Sequence, residues 1–222
     1  DDGSKDNTFQ IAKQNGATAL KHIVNRGQGA ALQTGMTFAL KNGADFIVHF
    51  DADGQHDMSV LPRIYESVMR KNGMVIGSRY IEGGSVGEWD ERRHLMSRVA
   101  TSLALKVCRV KVKDPMSGFF AIRRELFHST AKQLNPKGFK ILLDLLVCVP
   151  KETLVEEIPF TFSTRLHGES KLSRRVQIEF LEYLYDVTVG RYIPLTFVKY
   201  CIVGAFGVVV HVTAYLAFSA LI

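Results

Sequence analysis

The chain has 222 residues, 46% of them hydrophobic, which fits a folded protein built as one large domain or two small ones. A net charge of +6 favours anionic partners such as nucleotide diphosphates, lipid phosphates or an anionic membrane surface, and no nucleic-acid module is recognisable, so nucleic acid is set aside. The three cysteines, Cys108, Cys148 and Cys201, are odd in number and lack metal-ligand spacing, so they read as reduced packing residues of a cytosol-facing protein.

The chain opens on Asp1-Asp2-Gly3-Ser4 with no methionine, signal peptide or preceding strand, and reads as the start of a fragment. Ser4 can cap a helix over 5–15, and a strand is expected at 18–24. Asn25-Arg26-Gly27-Gln28-Gly29 makes a glycine-rich turn into a helix over 29–42. The apolar run of a strand at 45–51 ends in the acidic stretch Asp51-Ala52-Asp53-Gly54-Gln55-His56, followed by a helix from Pro62 to Lys71. A short strand at 75–77 leads into a long loop, then helices are expected at 95–109, 124–133 and 139–149, with strands at 119–123 and 154–162. This alternation predicts an α/β sheet with helices on both faces. Residues 176–189 place Val176, Phe180, Leu184 and Val187 on one helical stripe, read as an amphipathic helix at a membrane interface.

The end of the chain is apolar. Tyr200 to Ile222 contains no Asp, Glu, Lys or Arg, and its 23 residues would form a helix about 34 Å long, enough to cross a hydrocarbon core of about 30 Å. Arg165, Lys171, Arg174, Arg175, Arg191 and Lys199 lie just upstream and put that side in the cytoplasm by the positive-inside rule. Within the segment, His211 is suited to face a partner helix, and Gly204 and Gly207 permit close helix contact.

The acidic stretch carries the clearest chemistry. A buried parallel strand gathers ligands at its carboxyl end, and two carboxylates one residue apart, with an amide two further on, are hard oxygen ligands suited to Mg²⁺ or Mn²⁺. Taken alone, Asp-x-Asp serves equally well as an acidic turn capping the next helix.

In order along the chain, DDGS at 1–4, NRGQGAA at 25–31, DADGQH at 51–56, GSRY at 77–80, RHLMS at 93–97, DPMSGFFAIRRELF at 114–127, GFKILLDLL at 138–146 and HGESKLS at 167–173 resemble the family 2 glycosyltransferases of GT-A fold. The resemblance is to the polyprenyl-phosphate (dolichol-phosphate) mannosyltransferases and their glucosyl relatives, and it covers about residues 1–175. It implies that Asp1 and Asp2 bind the nucleoside part of a sugar donor, that Asp53 and Gln55 are direct metal ligands, and that Asp51 supports the metal and donor site. Arg79, Arg93 and Ser97 match positions that grip the acceptor phosphate; Arg93 and Ser97 are four apart and so share a helical face. Without the resemblance, Arg79 reads as a surface salt bridge and Arg93, beside Arg92, as a solvated basic patch. Arg165 and Lys171 match positions on a loop that closes over the donor diphosphate and acceptor phosphate. Asp114 and Ser117-Gly118 read as structural or acceptor-adjacent, and Lys140 and Asp144, at i and i+4, as a pair. The segment FVKYCIVGAFGVVVHV is similar to the start of a small membrane domain fused to some of these transferases.

Three regions are therefore expected: a GT-A domain over 1–175 lacking the family's first strand, an interfacial helix over 176–192, and a transmembrane segment over 195–222. The resemblance implies a metal-dependent, inverting transfer of mannose from GDP-mannose to dolichyl or polyprenyl phosphate at the cytoplasmic face of a membrane. The absent strand supplies part of the base pocket, so UDP-glucose or another UDP-sugar is the alternative donor. A non-catalytic, nucleotide-sugar-binding membrane scaffold is the alternative of another class.

Overall fold

The computed structural model describes residues 1–70, 73–87, 89–135, 140–163 and 174–220, with the side chains of 174 and 175 excepted. They belong to two compact units, Asp1–Glu169 and Ser170–Ile222. The first contains α1 (Thr8–Gln14), α2 (Gln28–Lys41), β1 (Phe46–His49), α3 (Leu61–Arg70), β2 (Gly73–Ser78), α4 (Glu91–Leu105), β3 (Phe120–Arg123), α5 (Arg124–Thr130), α6 (Ile141–Cys148) and β4 (Leu154–Pro159). The second contains α7 (Arg174–Thr188) and α8 (Leu195–Ser219).

The sheet order is β1-β3-β2-β4. β3 pairs antiparallel with both β1 and β2, whereas β2 pairs parallel with β4. Three strands therefore run one way and β3 alone runs against them, so the sheet is mixed; β1, expected as a buried parallel strand, instead ends the described sheet and pairs antiparallel with β3. Because β1 and β2 share a direction, the acidic turn after β1 and the Arg79-Tyr80 turn after β2 leave the sheet at the same edge.

Alternation along the strands sends side chains into two cores. Ile47, Met74, Ile76, Phe120 and Ile122 pack with Met36 of α2, Phe127 of α5 and Leu142, Leu145 and Leu146 of α6. On the opposite face, Val75, Ala121 and Ile158 meet Ile64 and Val68 of α3. Ile64 and Val68 are four apart, on one helical face, and both are fully buried, each contributing about 1.5–3 kcal/mol. The expected helices on both faces are present. Partly buried thiols fit the packing role expected of Cys108 and Cys148, whose pKa values desolvation pushes up to about 12 and about 11. Cys201 is also free but exposed.

Two local expectations are corrected. Residues 18–24 do not form a strand: their only ladder-like bonds run to Asp1, from its amine to Leu20 O (2.8 Å) and from His22 N to its carbonyl (3.0 Å), while Ile23 is fully exposed. Propensity without a neighbouring strand does not make a ladder. Ser4 does not cap α1; its N–H donates to Asp1 Oδ1 (2.7 Å), and the carboxylate of Asp6 takes the N–H and hydroxyl of Thr8 instead. Conversely, α4 begins at Glu91, four residues earlier than expected, because Asp90 accepts the Arg93 N–H at 2.7 Å as an N-cap.

In the second unit, an ion pair joins Lys199 to Glu182 (2.6 Å) and the Tyr185 hydroxyl donates to Ile193 O (2.9 Å). α8 has 25 residues with a mean hydropathy of 2.0 over its best window, none of that window buried, and it is long and apolar enough to cross a membrane.

Candidate active site

The acidic turn is held from beneath by two neutral histidines. His49 closes β1, donates from Nδ1 to Gly118 O (2.7 Å) and stacks on Phe120. His56 folds back under the turn, packed among Phe119, Phe160 and Phe162 at 5.4–5.5 Å, and its Nδ1 accepts the Asp51 N–H at 3.3 Å. Burial lowers both histidine pKa values, against the opposing pull of Asp51, so both rings are uncharged at neutral pH.

Above them the acidic turn is shaped by short-range bonds. Asp53 Oδ1 accepts the Gln55 N–H (3.1 Å), an Asx turn that Gly54 allows by adopting φ 75°. Gln55 is buried and pinned on both sides, its side-chain Nε2 donating to Ser163 O (3.1 Å) and its backbone carbonyl accepting from Ser163 N (2.9 Å). The Asp51 carboxylate lies over Gly118, where a Cβ would stand 2.8 Å from Oδ2. Gly118→Ala should therefore displace Asp51 by several tenths of an ångström and lower kcat on the order of 10-fold with the fold retained, as read by initial rates beside thermal melting. Unchanged rates would remove Asp51 from the site.

The opposite wall is cationic. Arg79, immediately after β2, forks onto Asp114 through Nε–Oδ2 and Nη2–Oδ1, both 2.8 Å, and its backbone N–H also reaches Oδ2 (3.0 Å). Both side chains are buried, 9% and 0% exposed, so the surface-salt-bridge alternative is excluded. Desolvation alone would depress the guanidinium pKa, but Asp114 outweighs it and the pKa is raised. Asp114 is held in turn through its own N–H and that of Lys113, both donated to Glu157 of β4 (3.0 and 2.8 Å). Nη1 is the Arg79 nitrogen outside this fork.

Trp89 ties Arg79 to α4. Its ring lies 4.3 Å from the Arg93 guanidinium carbon and 5.8 Å from that of Arg79, so one quadrupole holds two like charges. Tyr80 and Phe162 complete the aromatic surround of Arg79 at 5.3 and 5.5 Å. The Tyr80 hydroxyl is 2.7 Å from Ser97 Oγ, a second link from the end of β2 to α4. Arg79, Arg93 and Ser97 are thus brought together around Trp89 and Tyr80. Trp89 and Tyr80 were not anticipated, although the chain's single tryptophan in the loop between the two arginines was a usable signal.

Lys140 is the other unanticipated residue. Its ammonium is buried close enough to feel Asp51, Asp114 and Arg79; burial and then Arg79 lower its pKa, while the two carboxylates pull the other way. Asp144, expected to pair with it, is buried and accepts the Asn135 N–H (2.5 Å).

Asp2 has a loop-holding role. Its carboxylate takes His22 Nδ1 (2.8 Å), Arg26 N (2.9 Å) and Gly27 N (2.7 Å), and partial desolvation is outweighed by these bonds so that its pKa is lowered. The bonds secure the glycine turn, where Gly27 adopts φ 96°. Asp1 Oδ1 accepts from Ser4, and its buried Oδ2 has no hydrogen-bond partner. A cavity of about 300 Å³ between α1 and α2 is lined by Asp1, Phe9, Leu20, His22 and Thr34, but by none of Asp51, Asp53, Arg79 or Arg93. Arg165 and Lys171 lie outside the described residues.

Residues 1–130 match the profile described as glycosyl transferase family 2. The chain is 36% identical over 215 residues to the dolichol-phosphate mannosyltransferase of Pyrococcus furiosus, covering 95% of this chain and 60% of that one. It is 34% identical to the dolichol-phosphate mannosyltransferase of Mycosarcoma maydis (89% and 69% covered) and 33% to the polyprenol monophosphomannose synthase of Mycolicibacterium smegmatis (78% and 68%). In fold it is similar to glucosyl-3-phosphoglycerate synthase from Mycobacterium tuberculosis, solved with Mn²⁺, UDP-glucose and phosphoglyceric acid, at a TM-score of 0.55 and 18% identity over 83% of this chain and 65% of that one. A profile spanning more than half of the chain, relatives above 30% identity and a shared mixed-sheet fold lead to one conclusion: the chain belongs to glycosyl transferase family 2, in the dolichol-phosphate mannosyltransferase group of GT-A glycosyltransferases.

Proposed function

We propose that this chain moves mannose from GDP-mannose to the phosphate of a polyprenyl or dolichyl lipid, inverting the anomeric centre. The observation that carries the reading is the juxtaposition, at one sheet edge, of the Asp51–Gln55 turn with a cationic wall of Arg79, Arg93 and Lys140. An acidic turn alone suits a cation and a basic wall alone suits any anion. Together they fit a donor diphosphate beside an acceptor phosphate.

Asp53 and Gln55, with Asp51 in support, would hold Mg²⁺ or Mn²⁺. The donor set fits: the ligands are hard oxygens, and the neutral His56 is turned into the aromatic core. Mg²⁺ characteristically completes its coordination shell with waters and substrate phosphates, so a small protein donor set suffices. When bound, such an ion supplies Lewis-acid stabilisation of the departing diphosphate. The lipid phosphate is itself an oxyanion. One of its oxygens forms the bond to the anomeric carbon as the bond to the donor diphosphate breaks, the electron pair leaving with the diphosphate, and no strong general base is required. Arg79 Nη1, Arg93 and Ser97 hold the acceptor phosphate in line, and Lys140 neutralises charge between the two phosphate groups. The family resemblance would give Arg165 and Lys171, outside the described residues, contacts to the two phosphate groups, and Asp1 and Asp2 contacts to the nucleoside.

In this reading residues 1–175 form the catalytic domain, 176–192 lie at the membrane interface and 195–222 begin a membrane-spanning region, with the upstream basic residues on the cytoplasmic side. The test is to incubate the chain in detergent with polyprenyl phosphate and Mn²⁺, offer labelled GDP-mannose and UDP-glucose separately, and count label in the lipid phase. Label from GDP-mannose alone is expected. Label from UDP-glucose alone would reassign the donor, and none from either would favour a non-catalytic scaffold. In the same assay, Arg93→Ala should raise KM for the lipid phosphate about 10-fold or more and leave donor affinity within about twofold, since one charge-assisted bond contributes about 1.5–3 kcal/mol. Unchanged acceptor kinetics would sink the assignment of Arg93.

A further inference from the structure

Several hydroxyls on the helices of this chain bond back to their own backbone. Thr34, Thr130, Thr188 and Thr213 each donate to the carbonyl four residues earlier, at 2.7–3.0 Å. Ser97 of α4 does not. Its Oγ reaches across to the turn after β2 and meets the Tyr80 hydroxyl at 2.7 Å, the one side-chain bond it makes among the described residues. Tyr80 is itself held, with its ring 5.3 Å from the Arg79 guanidinium carbon, and Arg79 is locked onto Asp114. A serine released from its helix and aimed at a fixed phenol keeps capacity for one further partner.

The chemistry of the three groups then sets a direction. A serine hydroxyl has one proton and also accepts on its oxygen, a tyrosine hydroxyl keeps its proton at neutral pH, and an ionised phosphate oxygen only accepts. Were Ser97 to give its proton to Tyr80, it would turn lone pairs toward the acceptor phosphate and repel it. We propose that Tyr80 is a positioning residue for the acceptor: it donates to Ser97 Oγ and so commits the Ser97 proton to a phosphate oxygen. The relay from the Tyr80 O–H to the Ser97 O–H to the phosphate makes Ser97 a donor beside the Arg79 and Arg93 cations, and each bond polarises the next. No proton is transferred along it; the relay sets orientation alone. The proposal rests on the reading of Arg93 and Ser97 as acceptor-phosphate residues.

The test is a double-mutant cycle in the full chain in detergent, with Tyr80→Phe, Ser97→Ala and the two combined. The Tyr80→Phe change keeps the ring beside Arg79 and deletes only the oxygen. It should raise KM for polyprenyl phosphate about 3- to 10-fold, with kcat and donor KM within about twofold of the parent. Ser97→Ala should raise the acceptor KM at least as much, and Tyr80→Phe should add less than about twofold once Ser97 is replaced. An unchanged acceptor KM in Y80F beside an impaired S97A would overturn the relay alone. So would a Y80F loss that persists in full in the S97A background, or one that falls equally on kcat and donor KM. An unchanged acceptor KM in S97A would overturn the phosphate reading and the relay with it. The same ratios are expected in the Kd of a short-chain prenyl phosphate titrated without donor, so the outcome does not depend on which nucleotide sugar the chain uses.

Discussion

Replacing Asp53 by asparagine is expected to lower kcat by at least about 10³-fold while leaving the thermal midpoint within about 2 °C of the parent. The side-chain oxygen that accepts the Gln55 N–H at 3.1 Å is kept in the variant, so the turn survives and only the charge is lost. What disappears is the anionic oxygen proposed to hold the divalent ion against the donor diphosphate. Asp53→Ala removes the turn acceptor as well and should lose both activity and some local order. Initial rates across an Mn²⁺ titration, read beside circular-dichroism melts, separate the two effects. Near-normal transfer by D53N at saturating Mn²⁺ would remove Asp53 from the site.

Asp114→Ala should be the most destabilising single change in the catalytic unit. Asp114 is fully buried, takes the Arg79 guanidinium as a two-pronged fork and also accepts the Arg79 N–H. Removing it leaves a buried guanidinium without its carboxylate, which costs about 3–5 kcal/mol, or a fall of about 6–20 °C in Tm for a chain of this size. The electrostatics near Lys140 worsen at the same time, since Asp114 offsets the repulsion from Arg79. Replacing both partners, as R79M/D114L, should recover much of the stability, because it deletes the charge with its counterion. Transfer should stay absent in that double variant. A Tm unchanged in D114A would show that the fork contributes nothing to folding, and transfer retained by R79M/D114L would show that Arg79 does not touch the acceptor.

Much of the scaffold was legible because its signals are short in range. The apolar run before Asp51, the Pro62 helix start and the alternating elements follow from local periodicity and turn chemistry, and each appears within a few residues of expectation. The hard-oxygen composition of the Asp51–Gln55 turn is legible from residue type and spacing, while the proposed ligand roles of Asp53 and Gln55 come from the family resemblance. Where the reading failed, a partner distant in sequence was decisive. Residues 18–24 have strand-like side chains but only Asp1 to pair with. Ser4 has capping chemistry, yet Asp1 takes its N–H and Asp6 holds the first turn of α1.

By itself, then, the amino-acid sequence determined the alternation of strands and helices, the hard-oxygen turn, the apolar terminal helix and the basic balance that points to phosphates. Only the tertiary structure decided that β3 enters the sheet between β1 and β2 against their direction, which sets both turns at one edge. It alone made Arg79 a buried partner of Asp114, 35 residues away, anchored Gln55 to Ser163, 108 residues away, and placed Trp89 over two arginines. The division has a physical reason. Backbone dihedrals and side-chain chemistry are properties of a few neighbouring residues, whereas desolvated ion pairs and cation–π contacts exist only once the sheet order has brought remote segments within a few ångströms.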